Sequence, residues 1–146
     1  MAPRTPHSAL RTILVVTGDP GGARVLIPGI ELLAKGHPGW GFEILAGPNS
    51  FGLWKAAGFR PRRWPRWVIG AAAARKILHS KNPDVLVTGT SFENPMESWF
   101  RLAAHSEGIS SFSALDHWCN YQHRYEIRGR LIVPDVIGVM DGLAAQ

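Results

Sequence analysis

The chain has 146 residues, 45% of them hydrophobic and 18% charged, the content of one soluble globular domain with a real core, too short for two ordinary domains. Sixteen lysines and arginines against eleven aspartates and glutamates give a formal charge of +5, which favours anionic partners in general: nucleic acid, phosphorylated sugars or membrane headgroups. No apolar run approaches the roughly 20 residues of a bilayer span, Leu10 is followed at once by Arg11 where a signal peptide would have its apolar centre, and Cys119 is the single cysteine, so a cytoplasmic location without an internal disulfide framework is expected.

Residues 1–10, with Pro3 and Pro6, read as a flexible lead-in, and residues 11–146 as a single domain. The apolar, β-branched run from Thr12 to Val16 predicts a buried strand, broken by Gly18-Asp19-Pro20-Gly21-Gly22. Helical apolar spacing then resumes through Val25, Leu26, Ile30, Leu32 and Leu33 and ends at Lys35-Gly36, with Gly36 as the C-cap and Pro38 beyond. Pro28 leaves two alternatives: a helix that begins near Ile27, or one that starts earlier and kinks.

A second strand spans Gly41 to Ala46, and Ser50 caps a short helix from Phe51 to Ala57 that Gly58 ends. Phe59 to Trp64 is an edge strand at best, because Pro61 and four arginines between 60 and 66 interrupt it. Trp67 to His79 reads as a helix closed by Asn82-Pro83, Val85 to Thr88 as a strand, and Asn94 to Ser106 as a helix with Met96, Trp99, Phe100 and Ala103 on one face and Gly108 as its stop. Ile109 to Leu115 is the next strand and Val136 to Met140 the last, after which Asp141-Gly142 starts a helix.

Strands alternating with helices at this spacing imply an α/β fold with three layers, a mostly parallel sheet covered by helices on both faces. Ligands bind such sheets at the carboxyl ends of strands, near the point where strand order reverses. Thr17 to Gly22, Gly89 to Glu93 and Asp116 to Tyr121 all fall at such ends.

The first of these stretches is neither a P-loop nor a Gly-x-Gly-x-x-Gly motif. Its glycines let the backbone approach a ligand, and the helix start behind it suits an anion, which makes Gly18, Asp19, Gly21, Gly22 and Arg24 candidate binding residues. The alternative is that the glycines only permit a tight turn. Thr90 and Glu93 sit at the same edge; Glu93 and Glu97 also simply favour the dipole of the helix they begin.

Asp116 and His117 form the candidate catalytic pair, a base and a proton carrier, set against the alternative that they cap a strand end. The His117-x-Cys119-x-x-x-His123 spacing lacks a second ligand pair, so no metal is expected, and no motif calls for a cofactor. In the aromatic and polar run from Asn120 to Tyr125, expected as a cleft-lining loop, Tyr121 could stack on a sugar or base and Arg124 pair a phosphate. Arg60, Arg62, Arg63 and Arg66 are interleaved with Trp64 and Trp67. That run fits a solvated edge strand, a peripheral contact with the inner face of an anionic membrane holding a lipid-linked acceptor, or, least favoured, single-stranded nucleic acid.

Gly18-x-x-x-x-Ala23-x-x-x-x-Pro28-x-x-x-x-Leu33 after the first strand, Asn82-Pro83-Asp84-Val85 opening a later one, and Pro134-Asp135-x-Ile137 before the last together resemble the N-terminal half of GT-B glycosyltransferases. The UDP-N-acetylglucosamine 2-epimerase branch is the most similar. The resemblance covers about Thr12 to Ala145 and implies a Rossmann-like domain on the acceptor side of a two-domain enzyme, incomplete for catalysis without a C-terminal partner domain. It also implies a nucleotide-sugar or a phosphorylated or lipid-linked sugar as ligand. Pro20 and Val25 stand where the epimerases carry Arg and Lys, and Gly89-Thr90-Ser91 lacks the carboxylate of their Gly-Asp-Thr, whereas Asp116 matches a family acid at the end of the following strand.

Overall fold

The computed structural model describes residues 11–65, 68–91, 94–117 and 119–140. The lead-in, Arg66, Trp67, Glu93, Trp118 and the helix start at Asp141-Gly142 lie outside the described residues. The elements run β1 (Thr12–Thr17), α1 (Pro20–Gly36), β2 (Gly41–Ala46), α2 (Pro48–Ala56), β3 (Arg62–Arg63), α3 (Ala71–Lys81), β4 (Val85–Thr88), α4 (Met96–Glu107), β5 (Ser110–Ala114), α5 (Tyr121–Arg124), β6 (Glu126–Ile127), β7 (Arg130–Leu131) and β8 (Val136–Gly138).

Six strands form one parallel sheet in the order β3-β2-β1-β4-β5-β8. The period-2 alternation of β1 divides its side chains between two cores. Leu14 and Val16 join Leu45 and Leu86 under α3 and α4, against Leu78, Phe100 and Ala103. Ile13 and Val15 join Ile44 and Val87 under α1 and α2, against Ala23, Leu26, Ile30 and Trp54. Helices therefore cover both faces, and a sheet buried on both sides has central strands that are almost wholly apolar.

Several boundaries differ from the sequence reading, each for a local reason. The helix after the first loop begins at Pro20, with proline tolerated in its first turn and Asp19 as N-cap. Its buried line is therefore Gly22, Ala23, Leu26 and Ile30, while Val25 and Leu32, expected inside, are 42% and 71% exposed. Pro28 lies within the helix on its exposed side. Gly36 remains helical; the cap is His37, whose N–H bonds Leu33 O at 2.9 Å and whose ring stacks on Trp40 at 3.9 Å.

Ser50 is not a cap. Gly47 holds that position for α2 and Ser50 lies inside the helix, turned to β1. The third helix starts at Ala71 and runs to Lys81, closed by Asn82 in the left-handed region at φ 44° just before Pro83. The edge strand shrinks to Arg62 and Arg63, paired with Leu45 and Ala46. The segment after Asn120, expected as an irregular loop, forms the one-turn helix α5 and the hairpin β6–β7, turned by Arg128 and Gly129, both at positive φ. No helix among the described residues is long and apolar enough to cross a membrane.

Candidate functional site

With β2 on one side of β1 and β4 on the other, the connections leaving β1 and β4 diverge and open a crevice at their carboxyl ends. Thr17, the last residue of β1, is held by a closed relay: Trp54 Nε1 donates to Thr17 Oγ1 at 2.8 Å, Thr17 Oγ1 to Ser50 Oγ at 3.1 Å, and Ser50 Oγ to Thr17 O at 2.9 Å. Every group in the relay is buried, so the start of the glycine loop has a defined direction.

The loop itself is organised from beneath by Glu97. Its Oε1 accepts the Gly18 N–H at 2.8 Å and its Oε2 the Ser91 N–H at 2.5 Å, tying the loop after β1 to the loop after β4. The carboxyl is 1% exposed, and burial raises its pKa from 4.5 to about 7, against the lowering effect of the two backbone donors and of Arg101. Glycine is required where these loops meet: a Cβ on Gly18 would collide with the Ser91 hydroxyl and Trp64, and one on Gly89 would lie 2.7 Å from Glu97 Oε1.

This arrangement changes the expected anion cradle. Gly18 N–H is taken by Glu97, and Gly22 N–H by the capping carboxylate of Asp19 at 3.0 Å, so protein carboxylates already occupy these two amides. The sequence reading assigned Glu97 only a dipole role. Its signal was the Glu97/Arg101 pair, four residues apart and enclosed by Met96, Ser98, Phe100 and Ala104, which puts both charges on a buried face. Arg101, 2% exposed, donates to Thr88 Oγ1, Gly89 O, Ser98 Oγ and Arg124 O at 2.7–3.3 Å.

The third loop follows β5. Asp116 Oδ1 accepts from Thr90 Oγ1 and from Arg124 Nη1, each at 3.3 Å. Arg124, also buried, donates to Thr90 O at 2.6 Å and to Cys119 O at 3.2 Å. Burial raises the Asp116 pKa, and the nearby charge of Asp19 adds to the rise, while Arg124 and the Thr90 hydroxyl oppose it. His117 is exposed, its Nδ1 3.2 Å from Cys119 Sγ. Among the described residues no three His, Cys, Asp or Glu side chains gather as a metal ligand set; His123 lies instead 3.6 Å from Glu126.

The three loops enclose an open cleft of about 780 Å³. Gly18, Asp19, Gly21, Arg24, Asp116, His117 and Arg124 all line it. Gly22 and Thr90 stand behind that lining, Gly22 under the Asp19 cap and Thr90 supporting Asp116. Tyr121 lines a different, apolar cavity of about 470 Å³ with Leu115, Tyr125, Leu131 and Ile137. Asn49 and Asn94, not singled out from the sequence, also line the polar cleft, Asn94 Oδ1 accepting the Met96 N–H at 3.0 Å.

In the arginine-rich stretch Arg60, Arg62 and Arg63 are exposed, with Arg63 over the Phe51 ring at 4.5 Å. Trp64 is turned inward against the core under Gly18, so it is not part of an interleaved aromatic surface.

No family model and no curated protein matches the chain. Solved structures do. The chain is similar to the N-terminal part of a putative UDP-N-acetylglucosamine 2-epimerase from Listeria monocytogenes, at 11% identity and TM-score 0.58 over 73% of this chain and 30% of that one. It matches the Neisseria meningitidis UDP-GlcNAc 2-epimerase bound to UDP-GlcNAc at 13% and 0.59, over 75% and 33%, and Acinetobacter baumannii MurG at 15% and 0.61, over 92% and 42%. The fold is thus a Rossmann-like α/β arrangement, shared with part of each of these solved proteins. The chain spans less than half the length of each of these solved proteins.

Proposed function

We propose that this chain is the acceptor-side domain of a glycosyltransferase-like or sugar-nucleotide enzyme and that its ligand, a nucleotide-sugar or a phosphorylated sugar, enters the cleft between the loops after β1, β4 and β5. The observation that carries the reading is the convergence of those loops at the strand-order reversal with a half-buried carboxylate, Asp116, lining the cleft. Desolvation makes that carboxylate more basic than a solvated one, which suits it to take the proton of an attacking sugar hydroxyl. His117, exposed beside it, passes the proton to solvent. Arg24, on the first turns of α1, neutralises a phosphate reaching the rim.

Chemistry in this scheme needs a second α/β domain to hold the other reactant, and residues 11–146 act as one unit within it. Calorimetric titration with UDP-sugars and sugar phosphates tests the reading: binding lost in Gly21→Val and weakened in Asp116→Asn supports it. No heat with any of these ligands at millimolar concentration refutes it. A second reading, a non-catalytic binding module on the same fold, is favoured by one feature: carboxylates occupy loop amides that a phosphate would use. Ligand binding that Asp116→Asn leaves unchanged selects the module.

A further inference from the structure

We infer that two copies of this chain pair through β8, edge to edge and antiparallel, into one continuous sheet. The two edges of the sheet differ in kind. At one, β3 offers two exposed arginines flanked by Pro61 and Pro65, and charge and proline both discourage a further strand. At the other, β8 has no neighbour on its outer side among the described residues, and Val136-Ile137-Gly138-Val139-Met140 holds neither charge nor proline. That is the composition of a strand buried on both faces, yet Val136 is 56% exposed and Ile137, Val139 and Met140 are 37–41% exposed.

The main chain is oriented to receive a strand. Gly138 O accepts the Leu115 N–H at 2.8 Å, with Gly138 beside Ala114, so Gly138 and, by alternation, Val136 address β5 while the N–H and C=O of Ile137 point outward. A two-fold axis at Ile137 sets these groups against their counterparts in the second copy, the hydrogen-bonded pair of an antiparallel ladder with Cα atoms about 5.5 Å apart. Ile137 and Val139 line the apolar cavity of about 470 Å³ with Leu131 and Val133, which are 56% and 48% exposed. Val136, in register with Phe112, lies on the opposite face of β8. With Met140, these six side chains expose on the order of 500 Å², the size of a functional apolar patch on a monomer. Two such patches bury about 1,000 Å², the lower limit for specific association, so the dimer is weak and dissociates in the micromolar range. Pairing stops at two copies, because the edge left on each is the arginine-bearing β3. It also leaves both clefts open. They lie at the carboxyl ends of the strands, where the proposed second domain docks, and the pairing runs along the lateral edge.

Sedimentation velocity of the whole chain from about 1 µM to about 500 µM tests this. The wild type is expected to pass from monomer to dimer over that range. Val136→Lys, at an exposed position, places one lysine per copy beside the axis and weakens the dimer by about tenfold or more, with the thermal unfolding midpoint retained. Ile69→Lys, 78% exposed just before α3, leaves the dimer unchanged. As an independent readout, Ile137→Cys in a Cys119→Ser background forms an intermolecular disulfide under air, within reach at that Cα separation, and Ile69→Cys in the same background does not. A wild type that stays monomeric throughout overturns the pairing and leaves the edge to a strand of another protein. A dimer that Val136→Lys does not weaken, or one in which Ile137→Cys fails to cross-link, is joined elsewhere and overturns it as well.

Discussion

Replacing Glu97 by Gln should remove a specific slope from the dependence of stability on pH. The wild-type carboxyl has its pKa raised from 4.5 to about 7 by burial. Between those values the native chain keeps a proton that the unfolded chain has released, so the derivative of unfolding free energy with pH is negative there. The stability contributed by Glu97 is fully present below pH 4.5, is lost as pH rises through about 7, and is constant above it. The shift corresponds to about 3 kcal/mol, undiminished by solvent screening because the group is fully buried.

The assay is urea unfolding of wild type and Glu97→Gln at half-unit steps from about pH 4 to pH 8, taking the difference between the two curves so that other titrating groups cancel. The difference should change by about 3 kcal/mol in the direction that disfavours the wild type at higher pH. An independent readout is the amide proton shift of Gly18 and Ser91, which should titrate with a midpoint near 7 in the wild type and stay flat in the variant. A pH-independent difference between the curves, or Gly18 and Ser91 amides that titrate unchanged in Glu97→Gln, would falsify the assignment of Glu97 as the carboxylate joining the two loops.

Three further variants probe separate parts of the structure. Arg101→Ala strips the donors from Thr88, Gly89, Ser98 and the Arg124 carbonyl and leaves Glu97 buried without its cation. A loss of roughly 3–5 kcal/mol by chemical denaturation is expected, and a loss below about 1 kcal/mol would contradict the network. Gly18→Ala forces Ser91 and Trp64 apart, costing roughly 1–3 kcal/mol, with altered Trp64 fluorescence. Replacing the exposed Arg60, Arg62 and Arg63 by Ser should change stability by about 1 kcal/mol or less, most of it from the lost contact of Arg63 with the Phe51 ring. If this patch meets an anionic membrane, the same variant loses salt-sensitive sedimentation with phosphatidylglycerol vesicles; equal sedimentation by both proteins removes the membrane role.

Much of the architecture was decided locally. The β-branched run before Gly18, the strand Val85–Thr88 and the stop at Gly108 depend on residues a few positions apart, so their periodicity and punctuation could be read along the chain. The order of those elements put Thr17 to Gly22, Gly89 to Glu93 and Asp116 to Tyr121 at strand ends of one sheet edge, and Gly18, Asp19, Gly21, Asp116 and His117 from those stretches line one cleft together with Arg24 and Arg124. The resemblance carried by Gly18, Ala23, Pro28 and Leu33 proved sound at the level of fold.

Tertiary structure decided which of these groups are free to act. A glutamate near a helix start is ordinarily solvated, and only the approach of two glycine-containing loops buries Glu97 and turns the Gly18 amide away from the cleft. Ser50 became a support for Thr17 because Gly47 already occupied the cap position. Tyr121 and Arg124, neighbours in what looked like one loop, part company because a single turn of helix and the hairpin behind it send one to the apolar cavity and the other to Asp116. Chain order thus determined where a ligand edge must lie, since connectivity and hydrophobic period are properties of the sequence. The direction, pairing and protonation of each side chain at that edge depend on atoms contributed by elements tens of residues away, and only the packed structure brings those atoms together.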